Sequence, residues 1–167
     1  ALEGFKGVKS RFEFIENNLG INIVVDFAHT TTSFESLYKD LPKDKRKFAV
    51  YGISGDRTPD IRRGLGRISA KYGIFSVITT DDPKFDTFEN ISNQIKEGVE
   101  ENNGECIIIR NRKEAIKYAI THAKKGDFVL TLGKGEEDFL KLKNNIKTYY
   151  SEKETIREVL EELWKFL

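Results

Sequence analysis

The chain has 167 residues, of which 33% are charged and 38% hydrophobic, with a net charge of +1 and one cysteine. This is the composition of a single globular domain with a real core. It excludes a strongly basic nucleic-acid binder, an acidic tail, an internal disulfide and a cysteine metal site.

There is no signal-peptide pattern and no apolar run long enough to span a bilayer, so a cytoplasmic setting is expected. Neither a membrane nor a nucleic-acid partner is expected, and a monomer is. Cys106 lies in the apolar run Glu105-Cys106-Ile107-Ile108-Ile109. It is expected to be a buried strand thiol, because free cysteine usually behaves as a small hydrophobe.

Residues 1–10 are punctuated by Gly and Lys and read as a linker into a domain over 11–167. Polar–apolar alternation predicts a strand over 11–15. Asn17-Asn18-Leu19-Gly20 is turn chemistry, and 22–27 is a strand rich in β-branched residues. Together they predict a strand pair or hairpin. A helix follows over 33–40, closed by Pro42, and then a strand over 47–52.

Pro59 fits a helix start, and Ile61, Leu65 and Ile68 mark its apolar stripe to about residue 72. A third buried strand is predicted over 74–80. The next helix, over 88–102, has Ile91, Ile95 and Val99 on one face and ends at Asn103-Gly104. A short strand over 106–109 precedes a helix over 112–124, with Ala115, Ile116, Ala119 and Ile120 inward. The most strand-like run is 128–132. A last short strand is expected over 147–150. Ser151 with Glu154 forms a capping-box pattern and starts a helix to Leu167. Trp164 is expected in the core and His122 in a structural or solvent-facing position.

Strands alternating with amphipathic helices predict an α/β fold. The expected architecture is a three-layer α/β/α, Rossmann-like sandwich, with a mostly parallel sheet and an N-terminal antiparallel strand or hairpin.

Four loops at predicted strand ends are unusually polar: 26–32, 54–60, 81–84 and 133–138. In a parallel sheet they share one edge. They would bring together Asp26, His29, Asp56, Arg57, Asp81, Asp82, Lys84, Lys134, Glu136 and Glu137. Such a mixture suits a zwitterion: Arg or Lys for a carboxylate, Asp or Glu for an ammonium. No Gly-x-x-x-x-Gly-Lys-[Ser/Thr] phosphate loop and no Gly-x-Gly-x-x-Gly fingerprint is present. Taken alone, His29 reads as a structural histidine, Asp26 as a turn cap, Arg57 as half of a surface ion pair and Lys84 as solvated.

The loops also carry a family resemblance. Asp26-Phe27-Ala28-His29-Thr30 resembles the Asp-Tyr-Ala-His-Thr motif of the Mur ligases, the ATP-dependent amino-acid-adding enzymes of peptidoglycan synthesis. Ser54-Gly55-Asp56-Arg57 resembles their Gly-Gly-Asp-Arg. Asp81-Asp82-Pro83-Lys84 is similar to the Asp-Asn-Pro-Arg of the third-residue-adding, E-type branch. Gly133-Lys134-Gly135-Glu136-Glu137-Asp138 is similar to that branch's Gly-Lys-Gly-His-Glu-Asp. Val8-Lys9-Ser10-Arg11-Phe12-Glu13 and the segment Tyr150 to Glu158 resemble the opening and closing segments of the family's C-terminal domain.

The resemblance covers that domain alone. It implies half of a site for ATP and an incoming amino acid, in a longer enzyme that adds a diamino acid to UDP-N-acetylmuramoyl-dipeptide. The phosphate loop and most Mg2+ ligands would belong to a central domain. By resemblance, Arg11 and Asp26 would contact the nucleotide, and His29 would lie near the adenine. Arg57 would hold a carboxylate of the amino acid. Asp82 and Lys84 would read its side-chain end, and Gly133 and Glu137 would hold an ammonium. No catalytic residue and no metal ligand is assigned within the chain, and alone it is expected to be inactive.

The departures bear on the substrate. Lys84 replaces a bidentate Arg by a point charge, and Asp82 adds a negative charge that would attract a distal ammonium. L-lysine or another diamino acid is thereby favoured, with diaminopimelate and lanthionine left open. Two other readings remain: a folylpolyglutamate synthase-like C-terminal domain, and a free-standing amino-acid or nucleotide-binding module without catalysis.

Overall fold

The structure, a computed structural model, describes residues 12–141 and 146–165. The expected linker over 1–10 and Arg11 lie outside the described residues.

Among the described residues, eight strands and five helices follow one another. The first half contains β1 (Glu13–Ile15), β2 (Asn22–Asp26), α1 (Thr31–Lys39), β3 (Lys47–Tyr51), α2 (Pro59–Lys71), β4 (Phe75–Ile78) and α3 (Phe88–Glu101). The second contains β5 (Cys106–Ile108), α4 (Arg112–His122), β6 (Phe128–Leu132), β7 (Phe139–Lys141), β8 (Lys147–Tyr149) and α5 (Glu152–Trp164).

The main sheet has six strands in the order β1-β2-β6-β3-β4-β5. β1 runs antiparallel to β2, and the other pairings are parallel. Alternate residues of each central strand serve opposite faces. Val24, Ala49, Tyr51, Leu130 and Leu132 pack with Phe34, Leu65 and Ile95 from α1, α2 and α3. Ile23, Val25, Val50 and Val129 pack with Ile116, Ile120 and Ile156 from α4 and α5. The expected three-layer sandwich is therefore present, with its antiparallel strand at the N-terminal edge.

Some boundaries differ from expectation, each for a local reason. α1 begins two residues earlier, because Thr30 accepts from the Ser33 N–H at 3.1 Å while the Ser33 hydroxyl accepts from the Thr30 N–H at 3.0 Å. That reciprocal cap was not read from the sequence. At Ser151 the hydroxyl half of the expected box is present, accepting from the Glu154 N–H. β7 was not expected at all; it pairs antiparallel with β8 in a separate two-stranded sheet. Trp164 is 64% exposed rather than in the core, because it sits past the last buried turn of α5. Cys106 is half-buried on edge strand β5, and burial pushes its thiol pKa up. Among the described residues, no helix is long and apolar enough to cross a membrane.

Candidate functional site

The strand order explains why the loops meet. The chain lays down β2, then β3, β4 and β5, and only then returns through α4 to insert β6 between β2 and β3. The loop after β6 therefore emerges between the loops after β2 and β3, at the carboxyl edge where open sheets bind ligands. Backbone bonds tie the rim together. The Gly133 N–H donates to the Asp26 carbonyl at 3.1 Å, and the Gly55 N–H donates to the Asp82 carbonyl at 2.8 Å.

On the β2 side, the Asp26 carboxylate is buried. Its Oδ1 accepts from the Ala28 N–H and its Oδ2 from the Phe12 N–H, both at 2.7 Å. Asp26 thus caps the turn, as its residue type alone suggested. His29 Nδ1 lies 2.8 Å from the Phe27 carbonyl, so Nδ1 donates there, which in the neutral ring leaves Nε2 as an acceptor. The His29 ring meets Phe27 edge to face. These residues, with Phe12, Thr30, Thr32, Ser33 and Leu37, line a cleft of about 740 Å³.

On the β4 and β6 side, the centre is Lys134. Its side chain is 0% exposed, and its ammonium lies 3.0 Å from Asp81, 2.8 Å from Asp82 and 3.0 Å from Glu137. Burial opposes its charge, but Asp81, Asp82 and Glu137 outweigh burial and raise its pKa. Asp82 Oδ1 also accepts from the Lys141 N–H at 2.8 Å, which docks β7 on the site. Asp82 is therefore not the free negative charge that the sequence suggested; Lys134 faces it from within the chain. Gly133 has φ +100, and a Cβ there would stand 2.9 Å from Asp81 Oδ2, so a side chain is disfavoured twice.

Lys84 stands beside this cluster and pairs with Asp56 from the β3–α2 loop. That hydrogen bond holds Asp56 below its ordinary carboxylate pKa. Lys84 adopts φ +51, a left-handed conformation that non-glycine residues avoid and that tends to occur at functional sites. Arg57 is exposed on the same loop, and among the described residues its guanidinium has no ion-pair partner. Asp82, Glu137 and Gly133 are thus brought together, Lys84 adjoins them through Asp56 and the Gly55–Asp82 bond, and Asp26 adjoins them through the Gly133 N–H. His29 belongs to the separate cleft. His122 is exposed and stacks on Tyr118.

Two buried arginines behind the loops were missed. Arg62 donates to Asp86 at 2.7 Å, to Gln94 at 2.9 Å and to the Gly55 carbonyl at 2.8 Å, locking the β3–α2 loop to the start of α3. Arg112 forms an ion pair with Glu152, with side chains only 2% and 0% exposed. Burial lowers the Arg112 pKa and the Glu152 charge raises it; the net shift is upward. A sequence signal existed: Arg112 shares a helical stripe with Ala115 and Ile116, and Arg62 shares one with Leu65.

The family profile described as "Mur ligase, glutamate ligase domain" matches residues 10–135. A 2,6-diaminopimelate ligase of Clostridium tetani is 37% identical over 98% of this chain and 34% of its own length. The same-named ligase of Caldanaerobacter subterraneus is 32% identical over 93% of this chain and 32% of its own. The chain thus spans about a third of the curated relatives it matches. A solved structure of a UDP-N-acetylmuramoyl-L-alanyl-D-glutamate–2,6-diaminopimelate ligase superposes with a TM-score of 0.83 at 25% identity, covering 95% of this chain and 32% of that one. An Escherichia coli FolC in complex with ADP superposes less well, at 0.56 and 21% identity over 95% of this chain and 32% of that one, and shares the fold alone. The motifs at the strand ends and the profile over most of the sheet agree: the chain belongs to the Mur ligase family, as its C-terminal, glutamate ligase domain.

Proposed function

We propose that the chain serves as the domain of an ATP-dependent ligase that presents a diamino acid for addition to UDP-N-acetylmuramoyl-dipeptide in peptidoglycan synthesis. The observation that carries this reading is the convergence, at one sheet edge, of an anionic seat with an adjoining cation. Asp81, Asp82 and Glu137 surround one internal ammonium, and Lys84 stands next to them. Three carboxylates outnumber the one ammonium, so the seat stays net negative, and Glu137, the most exposed of the three, would take a substrate ammonium together with the Gly133 carbonyl oxygen. Arg57 is the cation for the α-carboxylate.

With Asp82 engaged by Lys134, the charge argument for L-lysine weakens. Lys84 then becomes the group that meets a distal carboxylate, in exchange for Asp56. The relatives' names point the same way, so 2,6-diaminopimelate leads among the diamino acids.

The cleft beside Asp26 and His29 fits the nucleoside end of a nucleotide. Phe27, Leu37 and the imidazole offer apolar and aromatic walls to a flat base, and His29 Nε2 is an acceptor for an exocyclic amine. ATP and Mg2+ would supply carboxylate activation from a central domain. The residues of this chain bind and orient. They place the incoming amine against the activated carboxyl and exclude water when the domain closes. The need for ATP and a UDP-linked substrate supports a cytoplasmic setting.

The test is the full-length ligase assayed with 2,6-diaminopimelate and with L-lysine, with and without Lys84→Ala. Loss of a charged hydrogen bond is worth about 1.5–3 kcal/mol, so KM for diaminopimelate should rise about 10-fold to 100-fold. KM for lysine should move little. Equal losses on both substrates would remove Lys84 from distal-carboxylate recognition.

A further inference from the structure

Arg112 opens α4, yet most of its bonds leave that helix. Nη2 donates to the Leu132 carbonyl at 2.9 Å, and Nη1 donates to the Thr80 carbonyl at 3.2 Å. Nε and Nη2 grip Glu152 at 3.0 and 2.7 Å. Glu152 lies in the first turn of α5 and also accepts from the Tyr150 hydroxyl. Leu132 immediately precedes Gly133, and Thr80 immediately precedes Asp81. Their strands, β6 and β4, are not neighbours, because β3 lies between them. One planar guanidinium therefore spans the two strand ends that carry both halves of the anionic seat. The sheet ladder alone sets that spacing only through β3.

A buried ion pair is a poor device for stability, since apolar replacements of similar size are often as stable or more so. Its fixed fork geometry, in contrast, suits it to holding two carbonyls apart. We propose that Arg112, itself held by Glu152 and Tyr150, is a positioning residue for the incoming amino acid. It sets the separation between the Asp81–Lys84 loop and the Gly133–Glu137 loop. This rests on the reading above that those loops hold the amino acid. Arg112 touches no substrate and acts through the backbone of Thr80 and Leu132.

The test uses the full-length ligase with two variants, Arg112→Lys and the double variant Arg112→Met with Glu152→Leu. Lysine keeps the charge but cannot fork to both carbonyls, and the double variant leaves no orphaned buried charge. Melting temperature reports folding, and KM is measured separately for the amino acid and for ATP. Misplacement by about 1 Å can cost about 100-fold, so the amino-acid KM should rise by about 10-fold to 100-fold while the ATP KM stays at its wild-type value. A structural role alone would lower the melting temperature and leave the amino-acid KM unchanged in the folded fraction. That outcome in Arg112→Lys overturns the proposal, even where the double variant fails to fold. A wild-type enzyme that ligates no diamino acid sinks the parent reading instead, and this proposal with it. A wild type that ligates, with variants of unchanged KM, sinks this proposal only.

Discussion

Lys134 carries a positive charge into a space shared by Asp81, Asp82 and Glu137, where it has no access to water. Three carboxylates packed this closely would repel one another, and one ammonium relieves most of that repulsion. Removing one partner of a buried ionic cluster costs about 3–5 kcal/mol, because the charges left behind are uncompensated. Lys134→Met should therefore destabilise the domain by roughly that amount, read as a lowered midpoint of thermal or urea unfolding. Adding Asp82→Asn to Lys134→Met should recover part of the loss, since it removes one of the stranded charges. If Lys134→Met melts like the wild type, the cluster is wetter and less coupled than the geometry indicates. The same residue explains why the charge of Asp82 could not be read from the sequence. Its partner lies 52 positions away, at the end of another strand.

At the scale of elements, the region behind the site depends on how closely α2 and α3 approach. They cross where Gly66 faces Gly98. A Cβ on Gly66 would lie 2.2 Å from the Ile95 carbonyl oxygen, and one on Gly98 would lie 2.0 Å from the Arg63 carbonyl oxygen. Ion pairs Arg63–Glu97 and Arg67–Glu101 flank the crossing. Alanine in an exposed helix would gain up to about 1 kcal/mol over glycine. Here the obstruction is backbone, so the helices must separate. Gly98→Ala should instead destabilise by about 1–3 kcal/mol, as overpacked sites do. A circular-dichroism melt of the variant decides the sign, and a rise in melting temperature would mean that the helices part freely. The elements themselves were legible because β2, β3, β4 and β6 are short apolar runs bounded by turn residues, and because Ile91, Ile95 and Val99 keep helical spacing. β7 was illegible because Phe139-Leu140-Lys141 is too short to show alternation and forms only through its pairing with β8. The site loops were legible as polar clusters at strand ends. The buried ties Arg62–Asp86 and Arg112–Glu152 were not, since they are contacts between elements far apart in the chain.

For the whole molecule, the question is how much of a ligation the described chain can support by itself. The cleft beside His29 has room and apolar walls for a nucleoside, and the seat around Glu137 has charge for an ammonium. A triphosphate needs several donors and cations of its own. The sequence has no phosphate loop, and the lysine in its one Gly-Lys-Gly run is buried and fully engaged by carboxylates. Lys84 is held by Asp56, which leaves Arg57 as the exposed cation among the described residues assigned to the site; Arg11, also assigned to it, lies outside them. Even two guanidiniums, Arg57 with Arg11, cannot neutralise a triphosphate and align its terminal group for transfer. The 167-residue chain alone should therefore turn over no ATP and form no amide bond, while a full-length ligase of the kind proposed should do both. Phosphate release and product formation, followed with each protein under the same conditions, separate the cases. Ligation by the chain alone would mean that it carries a phosphate site of its own, and the division of labour between domains would have to be redrawn.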